Sequence, residues 1–331
     1  MQVLKFKPLF KTLVWGGEKI APYKGVETTQ QHIGESWELS GVPGNESVVA
    51  DGPLAGRSMA SLVQEYKGAL VGEHVYARCS DQFPLLIKFI DALQDLSIQV
   101  HPNDALARER HGCNGKTEMW YVVAAEPGAH LLSGLRQQIT PEEYAAKVAD
   151  GSIVEALARY EVSPGDVFFL PAGRIHAICS GCFIAEIQQT SDITYRIFDY
   201  NRPGLDGKPR ELHTQLAQEA IDYTVHADYR THYAPLRDEE VELVSCPYFT
   251  TSLLDLTLPY AKDLSELDSF VVAICLSGSG MLEVDGDQVP VRQGETVLIP
   301  ATADDLCLVP ASAGGTGTVP SDRFKVLLAH S

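Results

Sequence analysis

The sequence predicts a mainly β protein made of two related β-barrels with a few helices, and three observations carry the prediction. Short runs rich in Val, Ile and Leu, bounded by Gly, Pro, Asn and Asp, recur along the 331 residues; such runs read as strands joined by turns. Helical periodicity is confined to a few inserts. The third observation is an internal echo, in which Gly165-DVFFL-Pro171-Ala-Gly-Arg-Ile-His176 is matched by Gly294-ETVLI-Pro300-Ala-Thr-Ala-Asp-Asp305.

In chain order, the first helix is predicted at Ser58 to Leu70, where Leu62, Val63, Tyr66 and Leu70 recur at three- and four-residue steps. Strands follow at Leu85 to Leu93, Leu96 to Val100 and Met119 to Val123. Thr140 caps a second helix that opens Pro141-Glu142-Glu143, since a cap hydroxyl and a first-turn Pro both suit a helix start. Two more strands, Val167 to Leu170 and Phe183 to Gln188, lead to a third helix at Leu212 to Tyr223. Composition turns polar and turn-rich after residue 225, so the boundary is placed near 240, giving regions 1–240 and 241–331.

Composition excludes several classes. With 26 Lys plus Arg against 44 Asp plus Glu, the formal charge is −18, and a nucleic-acid or anionic-membrane partner would need clustered positive charge instead. Apolar residues make up 45% of the chain, enough for a sizeable core. The N-terminus has lysines at 5, 7 and 11 among its apolar residues and lacks the unbroken stretch of a signal peptide. Seven cysteines, an odd number in a long chain, argue for free thiols and a cytoplasmic setting. Cys179-Ser-Gly-Cys182 has a metal- or redox-type spacing but no second pair, and Ser-Gly favours a hairpin turn.

The chemistry concentrates in the first barrel. Gln99 and His101 lie two apart in a predicted strand and so share a face. Glu118 follows in Lys116-Thr-Glu118, and His176 follows the Pro-x-Gly turn. Two His and one Glu form a catalytic zinc set, and the neutral Gln oxygen leaves such a site near net charge +1. Two His and a carboxylate also suit Fe(II). The other eight histidines have no such surroundings, and the second copy of the echo carries Asp305 where the first has His176. The second barrel is therefore expected to lack metal ligands. Lys88 interrupts an apolar Leu-Ile-Lys-Phe-Ile run, a place for a cation only if it meets an anion.

The ordered segments Phe83-PLLIKFIDALQDLSIQVHPND-Ala105, Gly115-KTEMW-Tyr121, Gly165-DVFFLPAGRIHA-Ile178 and Glu186-IQQTSDITYRIFDYN-Arg202 resemble the type I mannose-6-phosphate isomerases in their short bacterial form. The resemblance implies two cupin-type (jelly-roll) barrels and one Zn2+ per chain. The implied activity interconverts mannose 6-phosphate and fructose 6-phosphate through a cis-enediol. It makes Gln99, His101, Glu118 and His176 the metal ligands and Arg196 the active-site arginine, with Lys88, Ser97 and Lys116 lining the sugar-phosphate pocket. Only about 40 residues separate Glu118 from Pro164, so the helical insert of longer relatives is reduced.

The reaction needs stabilised charge on O1 and O2 and a proton shuttle on one face. Arg196 stays protonated and suits the charge. Glu186 is the favoured base, with Asp199, Lys116 and a metal-bound hydroxide as alternatives. Lys208 and Arg210 are secondary phosphate candidates, more simply read as solvated loop cations. The expected partner is a small phosphosugar, with no nucleic acid or membrane, and the expected assembly a monomer or homodimer. A sugar-binding cupin without catalysis, and a cupin enzyme for another phosphosugar, are the competing readings.

Overall fold

The computed structural model describes residues 1–311 and 323–331. Four antiparallel sheets of seven, seven, five and four strands dominate it. The first seven-stranded sheet runs in the order Arg230–Thr231, Val167–Leu170, Glu118–Ala125, Cys182–Gln189, Leu85–Asp91, Ile33–Ser40, Leu9–Gly17. It faces the five-stranded sheet of Tyr195–Phe198, Ile98–Val100, His176–Ile178, His130–Leu135 and Leu157–Glu161. Trp120, Ile90 and Ile184 from one side meet Leu131 and Ile178 from the other in a shared core.

The C-terminal half repeats the plan. A seven-stranded sheet faces the four-stranded one, with Val271, Val297 and Val326 packed against Leu282, Val291 and Leu308. The two seven-stranded sheets are joined back to back. Leu85, Ile87 and Phe89 share a cluster with Leu253, Val272, Ile274 and Leu327. Leu85–Asp91 is buried along its whole length for this reason. Its odd-numbered apolar residues face the other half, while Leu86, Lys88 and Ile90 face inward, following the two-residue period of a strand. Emptying one such position, as in Ile87→Ala, should cost ~2–5 kcal/mol.

Both copies of the echo cross between paired sheets. Val167–Leu170 lies in a seven-stranded sheet and the chain passes through a Pro turn to His176–Ile178 in the five-stranded one. Thr296–Ile299 does the same before Asp305–Pro310 in the four-stranded sheet. The halves also exchange chain: Leu4–Lys7 pairs with Thr296–Ile299, Leu4 opposite Leu298, and carries Val48–Val49 on its other edge.

Thr140 caps the helix Pro141–Asp150 with a full capping box to Glu143. The expected helix at Ser58 to Leu70 is instead two, Met59–Tyr66 and Gly68–Val71. Lys67 between them has φ 49, outside the helical range, and ends the first. The third helix is shorter than expected, Thr214–Ala220. Asp104–His111, capped by Asn103 and closed at left-handed Gly112, was not expected. No helix among the described residues is long and apolar enough to cross a membrane.

Candidate active site

Two rows of side chains meet between the facing sheets of the N-terminal half. In the five-stranded sheet, Ser133, His176, Gln99 and Arg196 lie opposite one another in register. In the seven-stranded sheet the matching row is Trp120, Glu186, Lys88 and Trp37. Directly opposed residues in antiparallel strands share a face, so each row points as a unit. Glu118 is one alternate step from Trp120 on the same strand and enters the same interior.

His101, Glu118 and His176 are buried and place their ligand atoms within 4.8 Å of one another. His101 Nδ1–H donates to Ile193 O and His176 Nδ1–H to Arg174 O, both at 2.8 Å. Each ring is thereby fixed with its Nε2 lone pair turned inward, 3.5 and 3.3 Å from the Glu118 oxygens. Burial, with Lys116 next in weight, pulls both imidazoles below their ordinary range, His176 to about 3, so both are neutral at pH 7. Glu118 Oε1 is buried without a hydrogen-bond partner. Two neutral imidazoles and an orphaned carboxylate oxygen converging on one point suit a divalent cation. The Lys116 ammonium already stands there, 2.5 Å from Glu118 Oε2 and 3.0 Å from His101 Nε2. Gln99 reaches the cluster too, its amide 3.2 Å from His176 Nε2.

Lys88 and Glu186 form a buried pair at 3.2 Å, and Glu35 approaches Lys88 at 3.7 Å. Burial opposes the Lys88 charge, but Glu35 and then Glu186 outweigh it and raise its pKa. Burial likewise pushes the Glu186 carboxyl up. Lys88, Lys116 and the Trp120 indole N–H at 2.8 Å more than reverse this and hold it below the usual carboxylate range. Glu118 ends on the other side of that range, because burial outweighs Lys116. Ser97, Gln99, Lys88, Lys116, Glu186 and Arg196 all line one cleft of about 480 Å³. Arg196 spans its far wall, Nη1 donating to Glu211 O at 3.0 Å and Nε buried without a partner.

Two family models match the chain: the catalytic domain of type I phosphomannose isomerase over residues 3–161, and the cupin domain of mannose-6-phosphate isomerase over 239–310. Mannose-6-phosphate isomerase ManA of Bacillus subtilis is 34% identical over 302 residues, 90% of this chain and 92% of that one. The chain belongs to the type I phosphomannose isomerase family. A mannose-6-phosphate isomerase of Streptococcus mutans is 33% identical, covering 87% of this chain and 89% of that one. The crystal structure of the mannose 6-phosphate isomerase from Bacillus subtilis superposes with a TM-score of 0.87 at 29% identity, covering both chains completely. A phosphomannose isomerase structure from Salmonella typhimurium, 17% identical, shares the fold with a TM-score of 0.78. The mainly β, two-cupin architecture and the isomerase class expected from the motifs agree with these findings.

As a type I phosphomannose isomerase, the chain brings six of the nine site residues expected from its sequence, Lys88, Ser97, Gln99, Lys116, Glu186 and Arg196, into the lining of one cleft, and buries the other three, His101, Glu118 and His176, against Lys116 and Gln99. Asp199 is elsewhere, locked by Arg202 and Arg210. Lys208 is an exposed loop residue, whereas Arg210 reaches the cleft. Cys179 and Cys182 flank a hairpin turn with left-handed Gly181, and all seven cysteines are free thiols. Burial pushes the Cys182 thiol up to about 12, the opposite of a reactive thiolate.

Sequence reasoning missed Glu35, Trp37, Lys11 and Asn45, which close the cleft from the Leu9–Gly17 and Ile33–Ser40 side. Trp37 carries the Lys88 ammonium 5.1 Å and the Lys11 ammonium 4.6 Å from its ring centre. The available signal was Glu35-Ser-Trp37 in a run that alternates polar and apolar.

Proposed function

We propose that this chain interconverts mannose 6-phosphate and fructose 6-phosphate through a cis-enediol, with one zinc ion held by His101, Glu118 and His176. The observation that carries the reading is the buried His–Glu–His cluster beside a cleft lined by the cations Lys11, Lys88, Lys116, Arg196 and Arg210 together with the buried carboxylate of Glu186. Gln99 completes the ligand set through its side-chain oxygen, since the two ends of an amide have the same shape and can exchange places. A zinc ion held by these residues would supply Lewis acidity, polarising the sugar carbonyl and offsetting charge on O1 and O2.

The chain's own residues do the rest. Glu186 starts charged, because Lys88 and Trp120 stabilise its carboxylate, and a base must start in that state. It takes the proton from C2 of the aldose and returns it to C1 on the same face, while the hydroxyl proton passes from O2 to O1. Lys116 faces the negative charge that grows on those oxygens. Arg196, half-buried and with an unused Nε–H, offers a planar fork to the phosphate or the enediolate, and Ser97 and Lys88 line the sugar between. Arg210 adds a second cation at the Arg196 end. We place the activity in the cytoplasm, on seven unpaired thiols.

The test is conversion of mannose 6-phosphate to fructose 6-phosphate by the purified chain, before and after chelation and return of zinc, with glucose 6-phosphate as control. Activity lost with chelator and restored by zinc supports the reading. Restoration by iron and not zinc reassigns the metal, and no turnover by a folded, zinc-loaded chain moves the substrate to another phosphosugar.

A further inference from the structure

The C-terminal half is joined to the Lys116–Glu118 segment by a line of three side chains. Tyr248 sits in the turn between Glu240–Ser245 and Thr250–Leu256, both strands of the C-terminal sheet. Its hydroxyl donates to Asp104 Oδ2 at 3.2 Å. Asp104 Oδ1 accepts two bonds, from Gly115 N–H at 2.9 Å and from Gln189 Nε2 at 3.1 Å. The other end of the Gln189 amide, Oε1, accepts Thr117 N–H at 2.8 Å, and the Gln189 backbone N–H donates to Thr117 O at 3.1 Å. Thr117 stands between Lys116 and Glu118, and its hydroxyl accepts Ala172 N–H, at 3.3 Å, from the turn that leads to His176.

This segment has little slack. A Cβ on Gly115 would lie 2.6 Å from the backbone of Asn103 and Asp104, so the chain must pass that close to the helix start that follows His101. Lys116 N–H donates to Pro102 O at 3.2 Å. Gln189 is buried and uses both ends of its amide. Neither Asp104 nor Gln189 lines the cleft.

We infer that Asp104 and Gln189 are positioning residues for Lys116 and Glu118, and that Tyr248 gives the C-terminal half its hold on them. None of the three touches substrate or metal. Groups that orient the residues of a metal site typically change metal affinity or turnover by about 10–100-fold when removed. The inference uses the proposed zinc site, and its test reads zinc retention separately from isomerase turnover.

Zinc release from full-length, zinc-loaded protein to a chromogenic chelator is followed for the parent and for Asp104→Ala, Asp104→Asn, Gln189→Leu and Tyr248→Phe, with kcat and KM measured on the same samples. Asp104→Ala and Gln189→Leu should each release zinc at least about tenfold faster and lose kcat by a similar factor, with KM little changed. Asp104→Asn should recover most of both. Its amide oxygen still accepts from Gly115 and Gln189, and its NH2 can donate to the Tyr248 hydroxyl. Tyr248→Phe removes one hydroxyl and is the safeguard should Asp104→Ala fail to fold; its release should be faster by about threefold, one net hydrogen bond at the weak end. Parent-like zinc release in folded Asp104→Ala and Gln189→Leu overturns the positioning role, as does an Asp104→Asn no better than Asp104→Ala. Parent-like release in Tyr248→Phe overturns the part assigned to the C-terminal half. A chain that turns over no mannose 6-phosphate yet shows this release pattern contradicts the proposed activity and leaves the inference standing.

Discussion

Glu186→Gln separates the electrostatics of the site from its chemistry. The substitution keeps the shape and removes the charge that faces Lys88 at 3.2 Å. The amide can still accept the Trp120 N–H with its oxygen, but its NH2 then points at the Lys88 ammonium, donor against donor. Removing one partner of a buried pair costs ~3–5 kcal/mol. Lys88 keeps Glu35 at 3.7 Å, which places the expected loss near the lower end, about 3 kcal/mol. With a urea m-value of about 3 kcal/mol/M, the unfolding midpoint should fall by about 1 M at unchanged m. Glu35→Gln, which removes a more distant and less buried carboxylate, should cost less than Glu186→Gln. Turnover by Glu186→Gln should drop by about 10²–10⁴, the worth of a positioned general base. A stability loss under about 1 kcal/mol would refute the buried-pair argument. A kcat within about tenfold of the parent would remove Glu186 as the base while leaving the stability argument intact.

Other expectations concern the metal, the second barrel and acid stability. His101→Ala or His176→Ala should lose metal and activity together, whereas Arg196→Ala should keep its metal and lose most turnover; a well-folded Arg196→Ala without metal, by atomic absorption, contradicts this split. Asp305, the exposed counterpart of His176 in the echo, should be replaceable by Ala with no change in metal content, and a second metal per chain that vanishes in this variant would overturn that. For Asp199, burial would raise the carboxyl, but the hydrogen bonds and charge of Arg210 and then Arg202 lower it. A carboxyl depressed in the folded state stabilises above its unfolded value, about pH 4, and that contribution fades as pH falls through the folded value. The stability gap between parent and Asp199→Asn should therefore be flat near neutrality and shrink in acid; a gap that widens on acidification would be the wrong sign.

Much of the site was legible because its signals are local. Gln99 and His101 announce themselves by a two-residue step, His176 by the Pro-x-Gly turn before it, and Lys88 by standing alone in an apolar run that is buried on both faces. The helix at Pro141–Asp150 could be read from its cap for the same reason. The residues that escaped come from register between distant strands. Trp37 reaches the cleft because Ile33–Ser40 pairs with Leu85–Asp91, placing it opposite Lys88. No motif near residue 37 specifies a partner some fifty positions away. Arg210 was read with Lys208 as a solvated loop cation, and only the pairing with Asp199 turns it inward. The break at Lys67 and the helix at Asp104–His111 were different in kind, since Gly68 and the Asn103 and Gly112 caps were visible as letters. Their meaning depended on weighing punctuation above periodicity.

The exchange of Leu4–Lys7 into the C-terminal sheet has a consequence for how this molecule is made. Its partner, Thr296–Ile299, leaves the ribosome almost three hundred residues later, so the N-terminal strand must wait through nearly the whole of synthesis before it can pair. Contacts of such long sequence separation slow folding. A fragment beginning near residue 240 would present Thr296–Ile299, four buried residues in the intact chain, as an uncovered apolar edge, the kind that recruits other chains. The cupin that carries no predicted metal ligand therefore depends on the first few residues of the other for its solubility, and the two halves can be expected to express well only as one polypeptide.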